Sequence, residues 1–436
     1  MQAIVTWLSN NLFTQTAFFM GVLVAIGMIS LKKPFVDVLE GFLTGMLGYY
    51  VFNIGTSAMG TTVQMLGKLL APTLGITGGV TPVGSSPFLA LPTTIEYLIP
   101  RVVPCFILVW LVHVLLVKFV PWFKVIYLSM HNVLAMVSVF YYFFYVTCAL
   151  EGIALDTVVG LSTLVYITVS PMLSYKASME ATGGAYALGW TNQISAAICA
   201  KIAPLFGDPE KDDAESIKLP GFLSGISASG LTIALSIPLA WVIVWLIVVI
   251  VGNPEALEIY NGYRGNVNGL IYILLSGVQW AAATYVLQYG LRMFLGALLP
   301  AFQGLAEKFL PNAVPGLDTV AFYGAGPNAV AISMLAHMLG EVVASMTQLA
   351  FRTPVFVIFS LVVGFNEMAA IGPIVNKRGG WKACAVCGFL VGFAAVYAAI
   401  LFVTGLNIVE QSVTMGSLDS CLYMGAIGWI GKLFVR

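Results

Sequence analysis

Eleven runs of about twenty mainly apolar residues follow one another along this 436-residue chain. They lie near 11–31, 38–60, 101–117, 125–150, 152–171, 222–251, 268–290, 328–350, 353–373, 381–405 and 418–432. A run of that length crosses the hydrocarbon core of a bilayer as a helix. Charged residues make up only 9% of the chain and the mean hydropathy is +0.95. That is too little polar surface to cover a soluble domain of this size. A cytosolic enzyme, a nucleic-acid-binding protein and a disordered scaffold are all excluded. The expected fold class is an all-α polytopic membrane protein of about eleven transmembrane helices. Residues 1–13 carry neither a basic n-region nor a small-residue cleavage site, so no removable signal peptide is expected.

The placement of charge orients the chain. With the N-terminus outside, alternation of eleven spans puts fifteen of the nineteen Lys and Arg residues on the inner side. Only Lys68, Arg101, Arg264 and Arg352 fall outside. This asymmetry is what the positive-inside rule demands, and it predicts an outer N-terminus with a cytoplasmic C-terminus. The one markedly polar stretch, Gly207–Pro220, then becomes a solvated cytoplasmic linker between a first membrane half (1–206) and a second (221–436).

The two halves show a faint internal repeat. Residues 61–100 and 293–327 are apolar but interrupted by Gly, Pro, Ser and Thr. In each, a Lys (Lys68, Lys308) precedes by nineteen residues a Pro in a small-residue tip, Gly84-Ser85-Ser86-Pro87 or Gly324-Ala325-Gly326-Pro327-Asn328. The orientation puts one segment outside and the other inside. The expectation is therefore two inverted repeats with re-entrant hairpins and broken helices around a transport site. Non-helical backbone at membrane depth survives only where protein or a water-filled cavity satisfies it. Ser85, Ser86 and Asn328 are accordingly candidate substrate contacts.

Polar groups inside apolar runs supply the other candidates. Asp318, in Pro315-Gly316-Leu317-Asp318-Thr319, precedes the second tip, where it either caps the following half-helix or holds a substrate hydroxyl. Thr191, Asn192 and Gln193 close a Gly-rich, aromatic stretch from Thr182, which reads either as a sugar-binding loop or as a packing seam of small residues. His131 begins a span beside Asn132, while His113 and His337 lie within spans. Glu96, Glu341 and Glu367 are possible proton-coupling carboxylates, Glu367 foremost. The six cysteines read as small core residues, including the Cys384-Ala-Val-Cys387 pair, which has no second ligand pair. No metal and no cofactor is expected. The chain has no Walker A motif. Transport must therefore draw on an ion gradient or on a separate protein.

The stretches Lys201-Ile202-Ala203-Pro204-Leu205-Phe206-Gly207, Ile217–Leu223, Gly290-Leu291-Arg292-Met293-Phe294, Ala301-Phe302-Gln303-Gly304, Pro311-Asn312-Ala313-Val314 and Ala325–Val330 resemble the ascorbate-type enzyme IIC permeases of the bacterial phosphotransferase system. The tip Gly84–Pro87 and the triplet Gly316-Leu317-Asp318 also resemble the related galactitol-type permeases. The resemblance implies an inner-membrane homodimer, embedded in lipid, with a moving core domain and an elevator-like motion. It implies cytoplasmic IIB and IIA partners, with IIB phosphorylating the sugar, polyol or ascorbate on release, and no phosphorylated residue on this chain. It gives Asp318 and His131 substrate-contacting roles. Trp190-Thr191 and Ala135 depart from the ascorbate-type pattern, which has His-Gln and Gln there, so galactitol-like substrates stay open. A proton- or sodium-coupled polyol transporter of the same architecture is the alternative.

Overall fold

The computed structural model describes residues 16–73, 80–82, 95–217, 242, 245–246, 248–310, 313–351, 353–358, 361–407 and 417–434. The first tip, with Ser85 and Ser86, and most of the run at 222–251 lie outside the described residues.

Helices dominate. They are α1 (Thr16–Ser30), α2 (Phe35–Thr73), α3 (Ile99–Phe119), α4 (Met130–Val146), α5 (Gly152–Ala181), α6 (Gln193–Ile202), α7 (Pro254–Arg264), α8 (Gly269–Phe309), α9 (Pro327–Phe351), α10 (Leu361–Leu406) and α11 (Leu418–Phe434). Among the described residues, five helices contain stretches long and apolar enough to cross a membrane: Phe35–Phe52, Pro100–Phe119, Gly152–Ala181, Pro327–Gln348 and Asn366–Leu406. Pro lies within the first turn of α3 and α7, where its missing N–H costs nothing. Asn253 caps α7 by accepting from the Ala256 N–H at 3.1 Å, and its amide donates to the Pro72 carbonyl near the end of α2 at 2.7 Å.

The 46 residues of α10 are a hairpin, not one rod. Gly380 has φ +65° and breaks the helix, a conformation that favours glycine. Gly364 and Gly392 both lie against His337, and Gly372 and Gly388 both lie against Ser333. The Cys384 thiol reaches the Gly372 carbonyl. The arms 361–379 and 381–406 are therefore antiparallel and share α9 as their partner.

The expected re-entrant segments differ in extent. Helix α2 continues unbroken to Thr73 and α8 to Phe309. Isolated glycines in a long apolar helix cost only about 1 kcal/mol each, and α2 and α8 pack along one another. Among the described residues of the second expected segment, backbone that is not α-helical covers 310 and 313–326. There, strand β4 (Val314–Leu317) leads into a 3₁₀ turn, Thr319–Ala325.

Short strands join the helices. Strands β1 (Val80–Pro82) and β5 (Phe356–Ile358) pair in parallel, and β2 (Val125–Tyr127), β4 and β3 (Ala187–Leu188) form a second parallel sheet in the order β2-β4-β3. β-Branched and aromatic residues at 125–127 and 356–358 suit strands. The pairing satisfies backbone that no helix covers. Strand β4, from the C-terminal part of the chain, lies between two strands from its N-terminal part.

The linker is docked rather than loosely solvated. Asp212 pairs with Lys382 at 2.8 Å, and its carbonyl accepts from the Trp381 N–H at 2.7 Å. The Asn376 amide donates to Asp213 at 2.7 Å and accepts from the Ala214 N–H at 2.9 Å. Lys382 holds the Asp212 carboxyl below the usual aspartate range. At the same end of the molecule, Arg378 pairs with Glu180 at 2.7 Å. At the other end of α5, Arg101 pairs with Asp156 at 2.6 Å. Asp156 and Glu180 are twenty-four residues apart on one helix, about 36 Å at 1.5 Å per residue. The two ion pairs thus bracket a length close to a bilayer core.

Candidate functional site

Strands β2, β4 and β3 are parallel, so their three continuations leave from one edge of the sheet. Leu128–Asn132 runs into α4, Asp318 into the 3₁₀ turn, and Gly189–Asn192 into α6. The Leu128 N–H donates to the Gly316 carbonyl at 3.0 Å and the Gly189 N–H to the Leu317 carbonyl at 2.7 Å, extending the ladder to the point of departure. A Cβ at Gly189 would overlap the Gly316 carbonyl, which is why this loop starts on glycine. The N-termini of α4 and α6 carry the positive ends of their helix dipoles at this same edge.

The edge lies half-way along α5. Tyr166 donates to the Thr191 carbonyl at 2.9 Å, and Ser174 donates to the Gln193 side-chain carbonyl. Thr168 bonds His113 Nδ1 at 3.0 Å, and His113 Nε2 accepts from the Tyr127 N–H at 3.0 Å. The backbone donor makes Nε2 the acceptor, so Nδ1 carries the proton and donates to Thr168. His113 is thereby a structural link from α3 and α5 to β2.

Of the residues expected at the site, the fold brings His131, Thr191, Asn192, Gln193 and Asp318 to this edge. His131 lies in the first turn of α4, and neighbouring Asn132 accepts from the Tyr127 hydroxyl at 3.1 Å. Asp318 is half-buried and heads the 3₁₀ turn without a side-chain capping bond. Its Oδ1 accepts from the Thr319 hydroxyl at 3.0 Å. Helix capping therefore does not account for it. Close by, Tyr186 donates to the Ala321 carbonyl at 2.7 Å and packs edge-on against Phe322 at 5.2 Å.

Thr191, Asn192 and Gln193 are buried, and their side chains hold the loop. The Thr191 hydroxyl accepts from Ser417 at 2.7 Å, the Asn192 amide donates to the Glu367 carbonyl at 3.2 Å, and the Gln193 amide donates to the Leu188 carbonyl at 2.7 Å. Asn328 lies elsewhere, at the start of α9 against the linker. Its amide donates to the Ala214 carbonyl at 3.1 Å, while the Glu215 carboxylate accepts from the Ala329 N–H at 2.9 Å.

Sequence reasoning missed Asp419. It is 2% exposed and accepts from the Ile194 and Ser195 N–H groups at 2.5 and 2.9 Å, capping α6 from a distant part of the chain. The signal was available: an acidic residue two positions after Ser417, at the head of the last apolar run. Replacing it with Ala orphans two buried backbone donors, each worth about 1–3 kcal/mol. Asp419→Ala is expected to lower unfolding stability by about 2–4 kcal/mol, and Asp419→Asn to recover part of the loss, as measured by thermal unfolding in detergent. Among the described residues no cluster of three or more His, Cys, Asp or Glu side chains is arranged to hold a metal ion.

The family model EIIC-GAT, described as a PTS system sugar-specific permease component, matches residues 11–432. The ascorbate-specific PTS system EIIC component of Mycoplasma pneumoniae is 24% identical to this chain over 431 residues, covering 89% of this chain and 64% of that protein. The chain thus spans less than two thirds of the length of that curated relative.

Proposed function

The chain belongs to the EIIC-GAT family of PTS sugar-specific permease components, and on that premise we propose that it carries ascorbate or a related sugar or polyol across the membrane and presents it to a phosphorylated cytoplasmic IIB partner. The observation that carries this reading is the convergence of Asp318, the 189–193 loop and the start of α4 at one sheet edge, midway between the ion pairs that bracket α5. A neutral polyol needs acceptors, donors and a ring to lie against. Asp318, the helix N-termini and Tyr186 offer these within one region.

Asp318 accepts a substrate hydroxyl and orients it. Positioning is the larger demand in phosphoryl transfer, whose loose transition state needs little covalent help from the protein. The hydroxyl oxygen attacks the phosphorus of the partner's phosphorylated residue, the phosphorus–partner bond breaks, and the hydroxyl proton is released. His131, Thr191, Asn192, Gln193, Ser85, Ser86 and Asn328 complete the proposed substrate-contacting set, some of them through rearrangement of the loops that now hold them.

The element order supports an inverted repeat. Long helix, short strand, helix, short strand, helix recurs as α2-β1-α3-β2-α4 and as α8-β4-α9-β5-α10. The first strand of each unit pairs with the second strand of the other, as expected for two units related by a two-fold axis. On this reading residues 1–206 and 221–436 are the two halves, the N-terminus is outside and the C-terminus cytoplasmic. The chain works as a homodimer in the inner membrane with an elevator-like stroke.

Vesicles containing the purified protein, supplied with the phosphoenolpyruvate-driven IIA and IIB components, should convert external ascorbate to an internal phosphate ester. Accumulation of unmodified ascorbate that an uncoupler abolishes would overturn this reading in favour of ion-coupled transport.

A further inference from the structure

Behind the site loop lies a buried ionisable cluster that the permease reading does not use. His337 and Glu341 are on α9 and Glu367 is on the first arm of α10, all at 0% exposure. His337 Nε2 faces Glu367 Oε2 at 3.0 Å, and Nδ1 faces Glu341 Oε2 at 3.8 Å. The second Glu367 oxygen accepts from the Leu418 N–H. Asp419 on α11, the Cys199 thiol on α6 and the Cys387 thiol on the second arm of α10 adjoin the cluster, and Tyr166 and Tyr127 lie within electrostatic reach of Asp419.

The imidazole cannot be satisfied by its hydrogen-bonded neighbour alone. Glu367 as a carboxylate only accepts, so Nε2 must donate to it. Nδ1 is then either a bare lone pair that needs a donor or an N–H that needs an acceptor. It is fully buried with no hydrogen-bond partner, and 3.8 Å is too long for such a bond. Gly364 leaves this side of the ring uncrowded: a Cβ there would stand 2.9 Å from Nδ1. One proton between Nδ1 and Glu341 Oε2 completes the arrangement from either direction, as a carboxyl donating to the nitrogen or as an imidazolium donating to the carboxylate.

We propose that His337 Nδ1 and Glu341 form a binding site for one exchangeable proton, separate from the sugar site and linked to it through Glu367. The link is short. Glu367 accepts from Leu418 through its side chain and from Asn192 through its carbonyl, and Asn192 lies in the loop that follows β3. A proton that alters the hold of His337 on Glu367 biases that loop. By reciprocity, ligand at the loop biases the proton.

The chain has only three histidines, so ¹⁵N-histidine NMR of the full-length protein in detergent resolves each ring, with His337→Gln and His113→Gln providing assignments. The Nδ1 resonance of His337 is expected to respond to pH as the proton is gained and lost. In Glu341→Gln, which can neither gain nor lose that proton, the titration should be lost or displaced. Should Glu341→Gln fail to fold, Glu341→Asp, which draws the carboxyl back by one methylene, should displace the titration. A His337 resonance that does not respond to pH while the protein stays folded, or one whose response is unchanged in the Glu341 variant that folds, would overturn the proposal. The measurement uses neither sugar nor partner protein, so its failure leaves the permease reading intact, and failure of the vesicle assay leaves this site intact.

Discussion

Asp318→Asn should reduce phosphate-ester formation in the vesicle assay by about 5- to 12-fold while leaving the protein folded. The magnitude follows from what is removed. A hydrogen bond to an ionised group contributes about 1.5–3 kcal/mol, against about 0.5–1.5 for a neutral one, and each 1.4 kcal/mol is tenfold in affinity or rate. The substitution preserves size, and an Asn oxygen can still accept from the Thr319 hydroxyl, which donates to the Asp318 side chain at 3.0 Å. Asp318 makes no capping bond to the turn it heads, so the variant is expected to fold, and thermal unfolding in detergent measured beside the assay separates a substrate role from a structural one. Lost transport at unchanged stability places the carboxylate at the substrate. Normal uptake by the variant would remove it from the site. A parallel loss of both would make it a structural residue.

Legibility in the sequence followed the physics of each signal. Bulk hydropathy reports on the bilayer directly, so the helical membrane class was readable: among the described residues five helices are long and apolar enough to cross a membrane. The break at Gly380 falls between the apolar runs read at 353–373 and 381–405. Lys377, Arg378 and Lys382, which mark the turn between the two arms of α10, flank Gly380. The strands were not readable: three residues such as Val125-Ile126-Tyr127 carry no periodicity, and their pairing partners lie up to 276 residues away, as for Val80 and Phe356. Asp318 was legible because a carboxylate in an apolar, Pro- and Gly-broken run is costly wherever it lies. Thr191, Asn192 and Gln193 were legible as a location but not as contacts, since amides and hydroxyls serve equally well to hold a loop or a ligand. Asp419 escaped because its partners, Ile194 and Ser195, are backbone groups on a distant helix. The linker's acidic composition suggested solvation, whereas Asp212, Asp213 and Glu215 engage Lys382, Asn376 and the first turn of α9.

A large stability effect is also expected at the seam between α9 and the α10 hairpin. A Cβ on Gly392 would overlap the His337 carbonyl, one on Gly388 the Ser333 carbonyl, and one on Gly340 the Phe389 carbonyl. Helix associations inside a membrane rely on close backbone approach, because lipid is as apolar as the helix surface and supplies little hydrophobic drive. In these contacts the obstructing atoms are backbone, so no rotamer change can relieve the clash and the helices must separate. Gly392→Ala should cost at least the about 1–3 kcal/mol typical of overpacking, and Gly392→Val more, because the added methyls meet the same carbonyl. At Gly296, by contrast, a Cβ would meet nothing within 4 Å, so Gly296→Ala should be neutral or stabilising. Thermal unfolding in detergent, read as the loss of monodisperse protein on size exclusion, compares the three. A Gly392→Val protein as stable as the wild type would show that α9 and α10 can part without loss. His337 and Glu367 would then not be held at 3.0 Å by this seam, so the pairing that bears on the site loop would need another origin.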